Sequence, residues 1–276
     1  MQVVRHSRPV AQRLRAMGSR RTVVMVAAQQ KNLSQGTVKT LHLMRHGTTE
    51  MNEYLATHRY DAEDFQDPMM YDTVLTTRGR AGAEAAARVA ERLNPKPELL
   101  VVSPLTRALQ TAQLAFLPHY QGPVLVEPLA RERVWHASDI GSNRAQLERT
   151  FPDARFQFDS LPDVWWHCVD PANPREVGLE PEESFKERVQ ALRLWLAARP
   201  EQCIAVVAHW GLLYELTGGA DFENCQIRTF SLDTRVLAEA TAAAEEEGRS
   251  GGRGGSVPVA AALREQVPNV FASLFR

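Results

Sequence analysis

Three short apolar runs in this chain each end on a cation or an imidazole. Leu41-His42-Leu43-Met44 leads straight into Arg45 and His46, with Gly47 next. Val101-Val102-Ser103-Pro104-Leu105-Thr106 leads to Arg107, and Ile204-Ala205-Val206-Val207-Ala208 ends on His209. Runs this short and this continuously apolar read as strands buried on both faces of a parallel sheet. Side chains just beyond the carboxyl ends of such strands gather along one edge of the sheet, where open α/β folds bind ligands. A glycine after His46 lets the backbone come close to a bound anion. The three runs together predict one anion site.

Between these runs the period changes to that of helices. The first strand, Thr40–Arg45, leads into a polar loop holding Asp61, Glu63, Asp64 and Asp67. Thr76-Thr77 then opens a helix through Leu93, closed by Pro95. Leu99–Ser103 reads as a second strand, with a helix starting at Pro104, a favourable first-turn residue. Val124–Val126 is a short third strand. Asn143 is placed to cap a helix containing Arg144 and Arg149. Glu182-Glu183-Ser184 opens a further helix with an acidic first turn that runs to about Arg199. Cys203–Ala208 is the fourth strand, a helix begins near Gly211, and Cys225–Leu232 is the last strand. The alternation predicts an α/β fold, a three-layer α/β/α sandwich around a central, mostly parallel sheet.

Charge divides the chain unevenly. Residues 1–46 hold nine Lys or Arg and no acid, so the near-zero formal net charge of −1 leaves the remaining 230 residues at −10. An acidic body lacks the extended basic face that nucleic acid requires. A local cationic pocket within it suits a small anion. No apolar run approaches the length of a membrane span. The three cysteines, Cys168, Cys203 and Cys225, have neither metal-ligand spacing nor a disulfide framework, which fits a reducing compartment. The expected partner is therefore a phosphorylated small molecule, with no nucleic acid and no membrane; the sequence leaves the oligomeric state open.

Three segments follow. Residues 1–31 are arginine-rich and acid-free, with Val10, Leu14 and Met17 able to share a helical face, the composition of an organelle transit peptide. Val26-Ala27-Ala28 resembles the cleavage sites of green-algal plastid leaders, so a plastid is expected, with mitochondrion or cytoplasm as alternatives. Residues 37–237 form the domain. Residues 238–276 begin Ala/Glu-rich, become a Gly/Ser/Arg-rich linker, and end in Val259–Phe275, which is compatible with a short amphipathic helix.

Leu43-Met44-Arg45-His46-Gly47-Thr48-Thr49 with Asn52 resembles the signature of the histidine phosphatase superfamily, which includes the cofactor-dependent phosphoglycerate mutases. Leu75-Thr76-Thr77-Arg78-Gly79, Ser103-Pro104-Leu105-Thr106-Arg107-Ala108 with Thr111, Arg131-Glu132 after Leu129, and Ala208-His209 resemble that family's further motifs. They stand in the family's order over residues 40–232. Trp135-His136-Ala137-Ser138-Asp139-Ile140-Gly141-Ser142 is similar to a loop of plant and fungal phosphoglycerate mutase-like proteins. Two departures stand out: Thr48 where many relatives carry glutamate, and Met51 where many carry an aromatic residue.

The resemblance implies a phosphatase that hydrolyses a small phosphomonoester through a covalent phosphohistidine. The chemistry fits the residue types. A neutral imidazole at His46 is a competent nucleophile near neutral pH. Arg45 and Arg107 offer rigid forks of donors to the phosphoryl oxygens, and His209, protonated in the complex, is expected to add another. Glu132 is the expected general acid and then base, with Glu127 and Asp139 as nearby competing carboxylates. By resemblance, Thr49 and Asn52 contact phosphate. No cofactor and no metal are expected, although His42 and His46 share a strand face. Trp210 is placed to narrow the pocket mouth or stack on substrate. Trp165-Trp166-His167 either help roof the pocket or anchor an irregular connection in the core. Two rival functions use the same residues: a cofactor-dependent phosphoglycerate mutase, and a non-catalytic phospho-ligand or protein-binding member of the family.

Overall fold

The computed structural model describes residues 36–241 and 262–266. The leader expected over residues 1–31, and most of the tail expected from 238, lie outside these residues. Seven strands make one sheet: β1 (Val38–Arg45), β2 (Leu99–Val102), β3 (Val124–Val126), β4 (Phe156–Gln157), β5 (Cys203–Ala208), β6 (Ile227–Asp233) and β7 (Leu263–Glu265). Their order is β4-β3-β2-β5-β1-β6-β7. The five strands from β4 to β1 pair in parallel, and β6 then β7 add antiparallel strands at one edge.

Among the described residues the α-helices that accompany them include α1 (Glu50–Leu55), α2 (Thr77–Glu91), α3 (Thr106–Ala115), α4 (Arg144–Thr150), α5 (Glu182–Ala198) and α6 (Trp210–Thr217), and residues 234–241 are helical as well. Strand alternation sends successive side chains to opposite faces. Met44, Leu100, Val102, Ala205 and Val207 pack with Ala83, Ala86 and Ala90 of α2 and Ala108 and Ala112 of α3. Leu41, Leu43, Val101, Ile204 and Val206 pack on the other face with Val189 and Leu192 of α5 and Leu212 and Leu216 of α6. Every side chain of β2 and β5 is buried, which is why these runs show no polar alternation. The result is the three-layer sandwich.

Several local expectations are corrected. The second helix starts at Thr106, two residues after Pro104, because Asp72 fixes its first turn: Oδ1 accepts from the Thr106 amide and Oδ2 from its hydroxyl, both at 2.8 Å. The polar loop after β1 contains the short helix α1. At the C-terminal end, the described part of Val259–Phe275 is a strand, not a helix. There Leu263 is buried against the core while Arg264 and Glu265 face out, Glu265 pairs with Arg228, and the unpaired edge of β6 gains a ladder. Trp165 and Trp166 are core residues, 4% and 8% exposed. They meet edge to face and donate their indole N–H groups to Ser142 and Pro174 carbonyls, so they anchor the connection and do not roof the pocket. Among the described residues no helix is long and apolar enough to cross a membrane.

Candidate active site

Strand register assembles the site. Arg45 pairs with Ala208, and Val207 with Val102. His46 and His209 therefore leave adjacent parallel strands at one level, with Ser103 at the end of the third strand, one residue short of them. Backbone bonds continue that register one step further, from the His46 amide to Ala208 O at 2.9 Å and from the Ser103 amide to Val207 O at 3.0 Å. The Gly47 amide donates to Thr111 Oγ1, which in turn donates to the Arg107 carbonyl. This ties the loop after β1 to α3. Tight packing of Gly47 against Gly79 makes room for the loop: a Cβ on Gly79 would lie 2.0 Å from Thr48 O, so only glycine fits.

A cavity of about 240 Å³ opens over these strand ends, lined by Arg45, His46, Thr49, Asn52, Arg107, Glu132, Asp139 and a rim of apolar and aromatic groups. His46 is nearly buried, and its Nδ1 lies 2.7 Å from the Gly47 carbonyl. A carbonyl only accepts, so Nδ1 carries the proton and Nε2 keeps its lone pair. Burial first, then the charges of Arg107 and Arg45, holds the His46 pKa well below the ordinary imidazole value. The ring therefore presents an unprotonated Nε2. Arg45 donates to the Phe222 carbonyl through Nη1, and its buried Nε has no protein partner.

Arg107 is held on three sides. Its Nε donates to His209 Nδ1 at 3.3 Å, Nη1 to Ser138 O at 2.6 Å, and Nη2 to Asp139 Oδ1 at 2.8 Å. His209, wholly buried, lies with its ring centroid 5.1 Å from that of His46. Because Nδ1 accepts from Arg107, the proton is on Nε2, which donates to Ser103 Oγ at 2.6 Å. Burial and the Arg107 charge push its pKa well down. Both His209 nitrogens are engaged by protein partners, and the ring braces Arg107 from behind the cavity wall.

Glu132 is set at the N-terminus of α6. Its Oε2 accepts from the Gly211 amide at 2.9 Å, and Oε1 from the Leu212 and Arg133 amides at 3.0 and 2.9 Å. Gly211 is required for this: a Cβ there would stand 2.8 Å from Oε1. Burial and the neighbouring Asp139 charge raise the Glu132 pKa, opposed by the amides and by Arg107. Thr49 and Asn52 line the cavity but also serve each other in a capping box at the start of α1. That leaves the Asn52 amide nitrogen as its available donor. Of the two competing carboxylates, Glu127 accepts from Leu129 outside the cavity lining, whereas Asp139 lines it. His42 is spent elsewhere, with Nε2 2.9 Å from Pro95 O and Nδ1 2.9 Å from Thr229 Oγ1.

Some supporting residues were not singled out in sequence. Arg188, an interior residue of α5, donates to the Leu129, Arg131 and Glu132 carbonyls and pairs with buried Glu180. It thereby fixes the backbone that carries Glu132. Asp67 accepts from the Ala137 amide, and Asp72 from the Ser142 amide, tying the loop before α2 to the loop that bears Asp139. Asp67 stands in the polar loop already noted, whereas no motif marks Asp72, Glu180 or Arg188.

The chain matches the profile of the histidine phosphatase superfamily (branch 1) over residues 41–236. A probable phosphatase of Schizosaccharomyces pombe is 26% identical over 182 residues, covering 64% of this chain and 76% of that protein. Among solved structures, mycobacterial glucosyl-3-phosphoglycerate phosphatase is 25% identical, with 71% of this chain and 91% of that one covered at a TM-score of 0.45. The alpha-ribazole phosphatase of Shigella flexneri is 21% identical, with 71% and 92% covered at a TM-score of 0.46. The chain belongs to branch 1 of the histidine phosphatase superfamily and is a phosphatase of that family.

Proposed function

We propose that this phosphatase hydrolyses a phosphomonoester of a small metabolite by way of a phosphohistidine on His46. One observation carries the reading: the Gly47 carbonyl fixes the His46 tautomer so that an unprotonated Nε2 shares the cavity with Arg45, Arg107 and Glu132. Nε2 attacks phosphorus as the ester P–O bond breaks. The resulting imidazolium keeps its Nδ1–H on the Gly47 carbonyl, which supports the charge that forms. The guanidinium groups of Arg45 and Arg107 stabilise the phosphoryl oxygens.

The leaving oxygen takes a proton from Glu132. Its Oε1 already accepts two amide bonds and Oε2 only one, so Oε2 is the oxygen with room for the proton. Water then attacks the phosphohistidine and gives its own proton back to Oε2, releasing inorganic phosphate and restoring the neutral imidazole. His209 acts in this scheme by holding Arg107. The cavity volume suits a small ester. The basic leader is proposed to direct the chain to a plastid.

Released phosphate measured across a panel of phosphorylated metabolites tests the reading, with His46→Ala as the blank. The expected result is turnover that falls by about 10⁴-fold or more in the variant, together with an acid-labile phosphoryl label on the wild type alone. Undiminished turnover in His46→Ala overturns it. Isomerisation that depends on a bisphosphate and releases no phosphate selects the mutase instead.

A further inference from the structure

The alcohol half of the ester meets a wall of different chemistry. Beyond the phosphate end the cavity is lined by Met51, Leu55, Tyr60, Trp135 and Trp210. Three of these are large rings left in solvent: Tyr60 is 68% exposed, Trp135 48% and Trp210 45%. Large apolar side chains clustered around a cavity mouth mark a binding surface.

Both indoles are held in place. Trp210 Nε1 donates to Asp221 Oδ1 at 2.6 Å, and Tyr214 stacks on its ring with centroids 5.3 Å apart. The Arg133 guanidinium lies 4.3 Å from the centroid of Trp135 and donates to the Glu180 carbonyl. Rings fixed in advance lose little freedom when a ligand stacks on them.

Charge narrows the substrate further. Arg45, Arg107 and His136 share the cavity lining with Glu132 and Asp139; Asp139 pairs with Arg107, and His136 Nδ1 lies 3.9 Å from Asp67, a balance that leaves room for one phosphate and little for a second anion. The described lysines are committed elsewhere: Lys39 to the Arg199 and Glu201 carbonyls, Lys96 to the Glu91 carbonyl and Lys186 to Glu182.

We propose that Trp135 and Trp210 select phosphomonoesters of uncharged alcohols with a planar aromatic body, over esters that carry a second phosphate or a carboxylate. This deepens the phosphomonoesterase reading above and rests on it.

The test compares 2-phenylethyl phosphate, ethyl phosphate and 3-phosphoglycerate, whose alkyl leaving groups are similarly unactivated, so that differences report recognition. A stacked ring is worth about 2- to 12-fold in binding. The phenylethyl ester should therefore have a KM about 10-fold below that of ethyl phosphate, with 3-phosphoglycerate the poorest of the three. Trp210→Ala and Trp135→Ala should each erase about 5-fold of that advantage, and Trp210→Phe should retain it. Calorimetric titration with 2-phenylethylphosphonate against ethylphosphonate should give the same ranking without turnover. Equal KM values, or a preference for 3-phosphoglycerate, overturn the proposal while His46-dependent hydrolysis keeps the chemistry. Conversely, the phosphonate ranking without His46-dependent hydrolysis overturns the chemistry and leaves aromatic recognition standing.

Discussion

Replacing Asp139 with asparagine separates what holds the site together from what performs its chemistry. Both partners of the Asp139–Arg107 pair are almost fully buried, with side-chain exposures of 6% and 5%. The second carboxylate oxygen accepts the Trp135 and His136 amides at 3.0 and 3.1 Å. An asparagine has one acceptor oxygen for these two duties. Turned toward the amides, its NH₂ faces the Arg107 guanidinium; turned the other way, it faces two N–H donors. Breaking one side of a buried pair costs about 3–5 kcal/mol, which for a domain of this size lowers Tm by about 10 °C. Activity should fall about 100-fold, because the guanidinium loses its bearing.

The more discriminating readout of Asp139→Asn is the pH profile of kcat/KM. In the proposed mechanism the first step needs Glu132 protonated, so activity should fall as pH rises through its pKa. The Asp139 charge is one of the causes that raise that pKa. Removing it lowers the Glu132 pKa, and the uncompensated Arg107 charge acts in the same direction, so the alkaline limb should move to lower pH. The acid side should not move into view, because the His46 pKa already lies well below its ordinary value and the freed Arg107 charge lowers it further. An alkaline limb that stays in place or moves up would refute the assignment of Glu132 as the acid, whatever happens to Tm.

Gly211→Ala places a methyl 2.8 Å from Glu132 Oε1 and 3.3 Å from Oε2, so the carboxylate must shift against its three amide donors. Overpacking of this kind costs about 1–3 kcal/mol, and kcat should drop about 10-fold or more while thermal unfolding shifts by only a few degrees; an unchanged kcat would show that Glu132 does not act from this position. Arg107→Lys keeps the charge but cannot reach Ser138, Asp139 and His209 with one head group, and its kcat should fall about 100- to 1,000-fold. Near-normal turnover in that variant would mean that point charge alone suffices.

Most of the frame was readable before any coordinates, for a physical reason. Strands buried on both faces must be continuously apolar, so Leu99–Val102 and Cys203–Ala208 declare themselves, and their ends deliver Arg107 and His209. Supporting electrostatics are harder to read, because a charged residue looks the same whether it is solvated or paired. Arg188 sits in an ordinary helical stretch, and only folding brings Glu180 and three carbonyls around it. The surroundings of His209 were hidden for a similar cause. Its two ring nitrogens are held by an arginine from α3 and by Ser103, the residue after β2, neither of which its own segment contains. The strand Leu263–Glu265 is too short to display a period, and the free edge of β6 decides its conformation.

Two carboxylates in a site for an anion work against it at first sight. Arg45 and Arg107 alone would hold a strong standing field in a poorly hydrated cavity, keeping both Glu132 deprotonated and the guanidiniums bound to any passing anion. Asp139 offsets one guanidinium and, by its own charge, helps raise the Glu132 pKa. An arriving phosphate dianion adds further negative charge beside Glu132, which moves that pKa in the same direction. Substrate thus favours the protonated state of the group that must donate to its leaving oxygen. In the proposed scheme, once the alcohol has gone and the phosphoryl group is bonded to His46, the local field changes again and the carboxylate is free to take a proton from water. In this arrangement Asp139 never touches the reacting atoms, yet it sets the charge against which each proton transfer occurs.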